Sequence, residues 1–97
     1  MQNESSEILI SLGELVQRTR SLTMDQEELG KRVGLSRSTI SAIERGKGVN
    51  AKALFDVLVF LGLSGELLSV IDKLRSLDSE LRFRKVRKVH EELSNDF

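Results

Sequence analysis

The chain contains no cysteine, which excludes a disulfide framework and any thiolate metal site and fits a reducing compartment. Its one histidine, His90, stands beside Glu91 and Glu92 with nothing further at metal-ligand spacing, so it reads as a solvated side chain rather than a ligand or an acid-base group. No glycine-rich phosphate loop is present, and no nucleophile stands with its base. The templates for acid-base and covalent catalysis go unfilled, and the expectation is a protein that is not an enzyme and uses no cofactor or metal. No stretch approaches the run of about 20 apolar residues that a bilayer requires. The N-terminal MQNESSE lacks the basic and apolar parts of a signal peptide, and a cytoplasmic location is expected. Formal net charge is +0, which excludes a uniformly basic nucleic-acid binder. A chain of 97 residues makes one domain with a small core, burying roughly 60 to 65% of its unfolded surface, and association with a second copy would add to it.

What the chain does carry is a central stretch, Asp25 to Gly46, DQEELGKRVGLSRSTISAIERG. Leu29 and Val33 lie four apart, Leu35 follows a turn, and Ile40 and Ile43 lie three apart, so two short helices each present a narrow apolar stripe to the other. Asp25 is suited to cap the first, with Glu27 and Glu28 in its first turn, and Ser36 to cap the second. Gly34 stands where a helix end takes a left-handed backbone. Gly30 brings no side chain to the crossing and lets the second helix approach.

These residues resemble the helix-turn-helix of the lambda repressor and Cro class, the Xre family, in the glutamine, the apolar positions, the turn glycine and the terminal ERG. The likeness covers residues 8 to 63 well and the last third poorly. It implies an all-α, five-helix lambda-repressor-like DNA-binding domain over residues 1–77, with the motif at 25–46, dimerisation helices at about 51–77 and a short charged C-terminal tail at 78–97. Two positions depart from the family pattern. Thr19 stands where the family has an arginine paired to the glutamate matching Glu44, with Arg18 and Arg20 on either side, and Thr23 stands where it has a glycine.

Around the motif, Ile8, Leu12, Leu15, Val16 and Thr19 make one face of a first helix ending near Arg20, with Ser5 or Ser6 available as its cap. After the loop KGVN, Asn50 caps a fourth helix that ends at Gly62. Leu54, Phe55, Leu58 and Leu61 form its inner face, while Val57, Val59 and Phe60 spill onto others. Ser64 caps a fifth, with Leu67, Leu68, Ile71, Leu74 and Leu77 on one stripe. Apolar residues on more than one face imply burial by more than one core, so the fifth helix is expected to cover the fourth and, with Val57, Phe60, Leu67, Leu68 and Ile71, to form a dimer interface. In the tail, Phe83, Val86, Val89 and Leu93 make a thin stripe amid dense charge, a segment suited to ordering on a partner.

Lys31, Arg32, Arg37, Arg45, Lys47 and Lys52 face only Glu44 over the same stretch, the local basic excess that phosphate binding requires. Opposite Ile40 and Ile43 on the helical wheel lie Ser38, Ser41, Ala42 and Arg45, with Arg37 at the N-terminal edge. Arg37 suits a bidentate contact to guanine, Ser38 and Ser41 either base edge, and Ala42 a thymine methyl. Thr39 ranks second. By the resemblance, Gln26 holds phosphate at the start of the first motif helix; Lys47, Asn50 and Lys52, placed around the start of the fourth helix, are suited to hold phosphate on the other flank, and Arg45 is a further phosphate candidate.

Three functions fit. One is a homodimeric repressor on a palindromic operator, acting as the antitoxin of a HipA-type kinase toxin, since ISAIERGKGVNAKALFDVLVFLGL is similar to HipB-type antitoxins. Another is a stand-alone phage-type or restriction-controller regulator. The last is a protein adaptor that keeps the fold without DNA.

Overall fold

A computed structural model describes residues 3–77 and 81. Its helices run α1 Glu4–Ser21, α2 Gln26–Val33, α3 Arg37–Glu44 and α4 Ala51–Phe60, followed by α5 Ser64–Leu77. No strand occurs among the described residues, in keeping with the all-α class. Among them, no single helix is long and apolar enough to cross a membrane. The chain divides into two compact units, Met1–Ser64 and Gly65–Phe97.

In the first unit, local chemistry sets where each helix begins. Asn3, not Ser5 or Ser6, caps α1: its Oδ1 accepts from the Ser6 N–H at 2.8 Å. Asp25 Oδ1 accepts from the Glu28 N–H at 2.8 Å, and Ser36 Oγ from the Thr39 N–H at 3.1 Å. Asn50 Oδ1 accepts from the Ala53 N–H at 3.2 Å. Each cap satisfies an N–H that the first helical turn leaves without a partner. Gly34 closes α2 at φ 73°, ψ 33°, the left-handed geometry that a side chain disfavours. Thr23 needs no such geometry, since no described non-glycine residue has positive φ. The turn after α1 closes instead through the Thr23 and Met24 N–H groups, both donating to Arg20 O at 3.0 Å.

The core of this unit is Val16, Leu29, Ile40, Ile43, Leu54, Val57 and Leu58. Full burial of such side chains contributes about 1.5 to 3 kcal/mol each. α1 enters this core on a line other than the one its apolar residues suggest. Gly13 and Val16 are its buried positions, whereas Ile8 and Leu15 are exposed. The cause is a close crossing: a Cβ on Gly13 would lie 2.4 Å from Ile43 O and 2.8 Å from Glu44 O. α1 therefore rests its backbone against the end of α3, and its inward line runs Gly13, Val16, Arg20. Gly30 behaves as the sequence implied, since a Cβ there would lie 2.5 Å from Leu35 O, in the turn that leads into α3.

α4 turns Leu54, Val57 and Leu58 inward and leaves Phe55, Val59 and Phe60 exposed. Val57 is 0% exposed, which corrects its assignment to a dimer interface: a side chain filling its own subunit's core has no surface to offer another. In the second unit, Leu67 is half-buried, while Leu68, Val70, Ile71, Leu74 and Leu77 are exposed. The tail residues 78–80 and 82–97, including Phe83, Val86, Val89, His90 and Leu93, lie outside the described residues.

Candidate nucleic-acid interface

α3 has a sharply two-sided character. Ile40, Ile43 and Glu44 are buried. Arg37, Ser38 and Arg45 are exposed, and Thr39, Ser41 and Ala42 are half-buried. An eight-residue helix with its apolar pair beneath and a ridge of arginine and small polar residues above has the dimensions for a major groove.

What holds the ridge in place is a polar cluster at the other end of α3. Arg20 Nε donates to Glu44 Oε2 at 2.6 Å and Arg20 Nη2 to Glu44 Oε1 at 3.0 Å, a bidentate pair with side chains 11% and 4% exposed. Gln26 Nε2 donates to the same Oε1 at 3.0 Å, and Arg20 Nη1 donates to Met24 O at 2.8 Å. One carboxylate thus ties the end of α1, the turn after it and the start of α2 to the end of α3. No buried side-chain nitrogen or oxygen among the described residues lacks a partner, which is the condition under which a buried charge is tolerated. The hydrogen bond to Glu44 raises the Arg20 pKa; burial opposes this, and attraction to Glu44 and Asp25 adds to it. The arginine that completes the pair is therefore Arg20, one position beyond Thr19, because the inward line of α1 passes through position 20. Thr19 turns its hydroxyl back on its own helix, donating to Leu15 O at 2.8 Å.

This cluster gives Gln26 a structural task alongside the expected phosphate contact. Its carboxamide carries two N–H bonds, and one is committed to Glu44. Beside it, Arg37 lines a cleft with Arg20, Asp25, Gln26 and Glu27, but makes no ion pair among the described residues. Thr39 lies aside from the ridge crest: it lines a groove with Leu35, Val49, Asn50 and Ala53. Its Oγ1 is 2.9 Å from Ser36 Oγ, and Ser38 Oγ is 3.1 Å from that same atom.

The basic residues of the motif fall into two groups. Lys31 pairs with Glu27 at 3.8 Å, Arg32 with Glu28 at 2.8 Å and Lys52 with Asp56 at 2.8 Å, each one helical turn apart. Such pairs are exposed and weak, about 0.3 to 0.5 kcal/mol, yet they lower the positive potential around those three. Arg37, Arg45 and Lys47 have no such partner among the described residues; Arg45 Nε donates to Ser41 O at 3.3 Å. The local positive excess therefore centres on the two ends of α3. Counting charges along the chain missed this, because Glu27, Glu28 and Asp56 lie outside the window counted while their side chains reach into it. No group of three or more residues suited to a metal occurs among the described residues.

A family model described as helix-turn-helix matches residues 17–68, spanning the end of α1, the whole of α2 to α4 and the start of α5. No curated protein matches the chain.

Proposed function

The chain belongs to the helix-turn-helix family of the lambda repressor and Cro type, the Xre family, a family of DNA-binding regulators, and from that premise we propose that it is a repressor acting as a homodimer on a palindromic operator. The observation that carries this reading is the exposed ridge of α3, with Arg37 unpaired among the described residues and the helix anchored from below at Ile40, Ile43 and Glu44. In this reading Arg37, Ser38 and Ser41 read base edges, Ala42 meets a thymine methyl and Thr39 is secondary. Arg45, Lys47, Asn50 and the second N–H of Gln26 hold phosphates, and Lys52 does so after exchanging Asp56 for phosphate. One such module buries roughly 600 to 1,000 Å², too little for high affinity against non-specific DNA. Two modules about 34 Å apart read two half-sites one turn apart. Occupying an operator excludes polymerase by volume alone, and that act needs only the surfaces already described.

Selection of bound duplex from a random pool by the purified protein tests this reading. The expected result is a palindrome with half-sites about 10 base pairs apart, centre to centre, bound with an affinity that falls steeply with salt. Recovery of no enriched sequence, with binding insensitive to salt, would favour the adaptor instead. The antitoxin role has separate support: the segment similar to HipB-type antitoxins carries Phe55 and Val59, which are exposed on α4, an apolar surface for a HipA-type toxin. Co-purification with such a kinase from the native host supports that role, and its absence leaves the stand-alone regulator.

A further inference from the structure

The stripe that apolar spacing marks out on α1 is left outside the core. Ile8 is 56% and Leu15 43% exposed, Leu12 is half-buried, and with Glu4, Glu7 and Ser11 they line a shallow groove along the helix. The charges beside it are sorted by end. Glu4 and Glu7 stand in the first turn and Arg18 in the last, and none of the three makes an ion pair among the described residues. We propose that this face of α1 pairs with the same face of α1 in a second copy, the two helices running antiparallel about a two-fold axis near Ser11 and Leu12. The contact uses no residue of α5 or of the α3 ridge, and it does not depend on DNA binding.

The face is complementary to itself, and that selects both the occupant and the orientation. Ile8 and Leu15 are centred between positions 11 and 12, and Glu4 and Arg18 on position 11, so a single antiparallel register serves the apolar and the charged pairs together. In it Ile8 lies opposite the partner's Leu15, Leu12 lies beside its own counterpart, and Glu4 lies opposite the partner's Arg18. Each unlike contact is made twice, as an isologous interface requires. Glu4, Ser11 and Arg18 recur at steps of seven along one flank of the stripe, and a two-fold axis across the helices sets that flank against itself. A parallel pair gives no contact of opposite sign and brings like ends of the two helix dipoles together. A uniformly basic foreign helix would meet Arg18 with its own sign, and a uniformly acidic one would do the same to Glu4 and Glu7. Three apolar side chains from each copy make a small interface of the transient class.

The chain has no native cysteine, which makes the test direct. Single-cysteine variants of the full chain are treated with a short bis-maleimide, and linked pairs are counted on a denaturing gel. Ser11→Cys, near the axis, is expected to link to its own counterpart. Glu4→Cys alone and Arg18→Cys alone are not, since like positions lie about 21 Å apart along an antiparallel pair, whereas a mixture of the two variants is expected to link. Reversing one charge checks the pairing without disturbing the apolar stripe. Arg18→Glu is expected to lower the yield of the Ser11→Cys link about tenfold at equal protein concentration, and Glu4→Lys added to the same chain to restore it. Failure of Ser11→Cys to link at any concentration overturns the proposal. Self-linking of Glu4→Cys and Arg18→Cys overturns the orientation, and a yield indifferent to charge reversal overturns the pairing of Glu4 with Arg18.

Discussion

The two ends of the matter meet in one short helix: at the C-terminal end of α3 buried Glu44 is fully paired with the largely covered Arg20 of α1, while along its upper face Arg37 and Ser38 stand open and Ser41 is half-buried. Arg20 spends its guanidinium on Glu44 and Met24 O; Arg37 spends none of its own on any carboxylate among the described residues. The same chemical group serves opposite ends, fixing geometry where water is excluded and remaining available where water can be displaced by a ligand. A ridge can read a groove only if its helix does not shift, and the buried cluster supplies that constraint.

The sharpest way to break this contrast is to remove one half of the buried pair. Glu44→Ala strands the Arg20 guanidinium and is expected to lower unfolding free energy by about 3 to 5 kcal/mol in a denaturant titration, whereas Arg20→Met with Glu44→Leu together is expected to be far milder. A Glu44→Ala protein as stable as the parent would show that the cluster is not what holds α3. Because the folded Arg20 pKa is raised, its contribution is fully present below the ordinary arginine value and is lost only as pH climbs through the raised one. Stability measured between about pH 6 and 9 should therefore carry no step from Arg20.

A smaller loss is expected from Gly13→Ala. Alanine favours a helix interior by about 1 kcal/mol, but the added methyl meets two backbone oxygens that cannot swing aside. A net cost of about 1 to 3 kcal/mol should appear as a lowered melting temperature. Stabilisation by the substitution would mean that α1 does not approach α3 so closely.

Gly13 also shows where the sequence was legible and where it was not. Caps and turns could be read because each is a local contract between neighbours: Asp25, Ser36 and Asn50 accept from N–H groups three residues on, and Gly34 adopts its left-handed turn regardless of what packs above. The facing of α1 could not, because the signal sought was apolar and two of its inward positions are a glycine and an arginine. A glycine approached by a backbone and an arginine meeting a distant carboxylate look like surface until the partner helix is known. Val57 and Phe55 exchanged roles on α4 for a related reason, since a helix apolar on several sides does not declare which side is inside. On the ridge, the register of Ile40 and Ile43 identified Ser38 and Arg45 as exposed but not that Ser41 and Ala42 are half-buried, while the neutralisation of Lys31, Arg32 and Lys52 depended on side chains one turn away.

Asn50 permits a finer separation of anchoring from recognition. Asn50→Ala removes a cap and should cost about 1 kcal/mol of stability, while Asn50→Asp keeps the cap and sets a negative charge against phosphate. The aspartate variant should fold like the parent and bind DNA more weakly. Equal binding by both would remove Asn50 from the phosphate contacts. The smallest effect is expected between two lysines. Lys47→Ala should lower the steepness of the salt dependence by about one unit per half-site. Lys52→Ala should lower it by less, since its charge is already shared with Asp56. Equal slopes would show that the ion pair opens freely on binding.

The most direct measurement is the ratio of affinities for a selected operator and a scrambled duplex, taken for the parent and for Arg37→Ala at one salt concentration, with melting temperature recorded on the same preparations. The account predicts unchanged melting and a ratio lower by roughly ten- to a hundred-fold, the worth of a bidentate contact to a base. An unchanged ratio with the fold intact would contradict it, leaving the exposed face of α3 without a part in reading sequence.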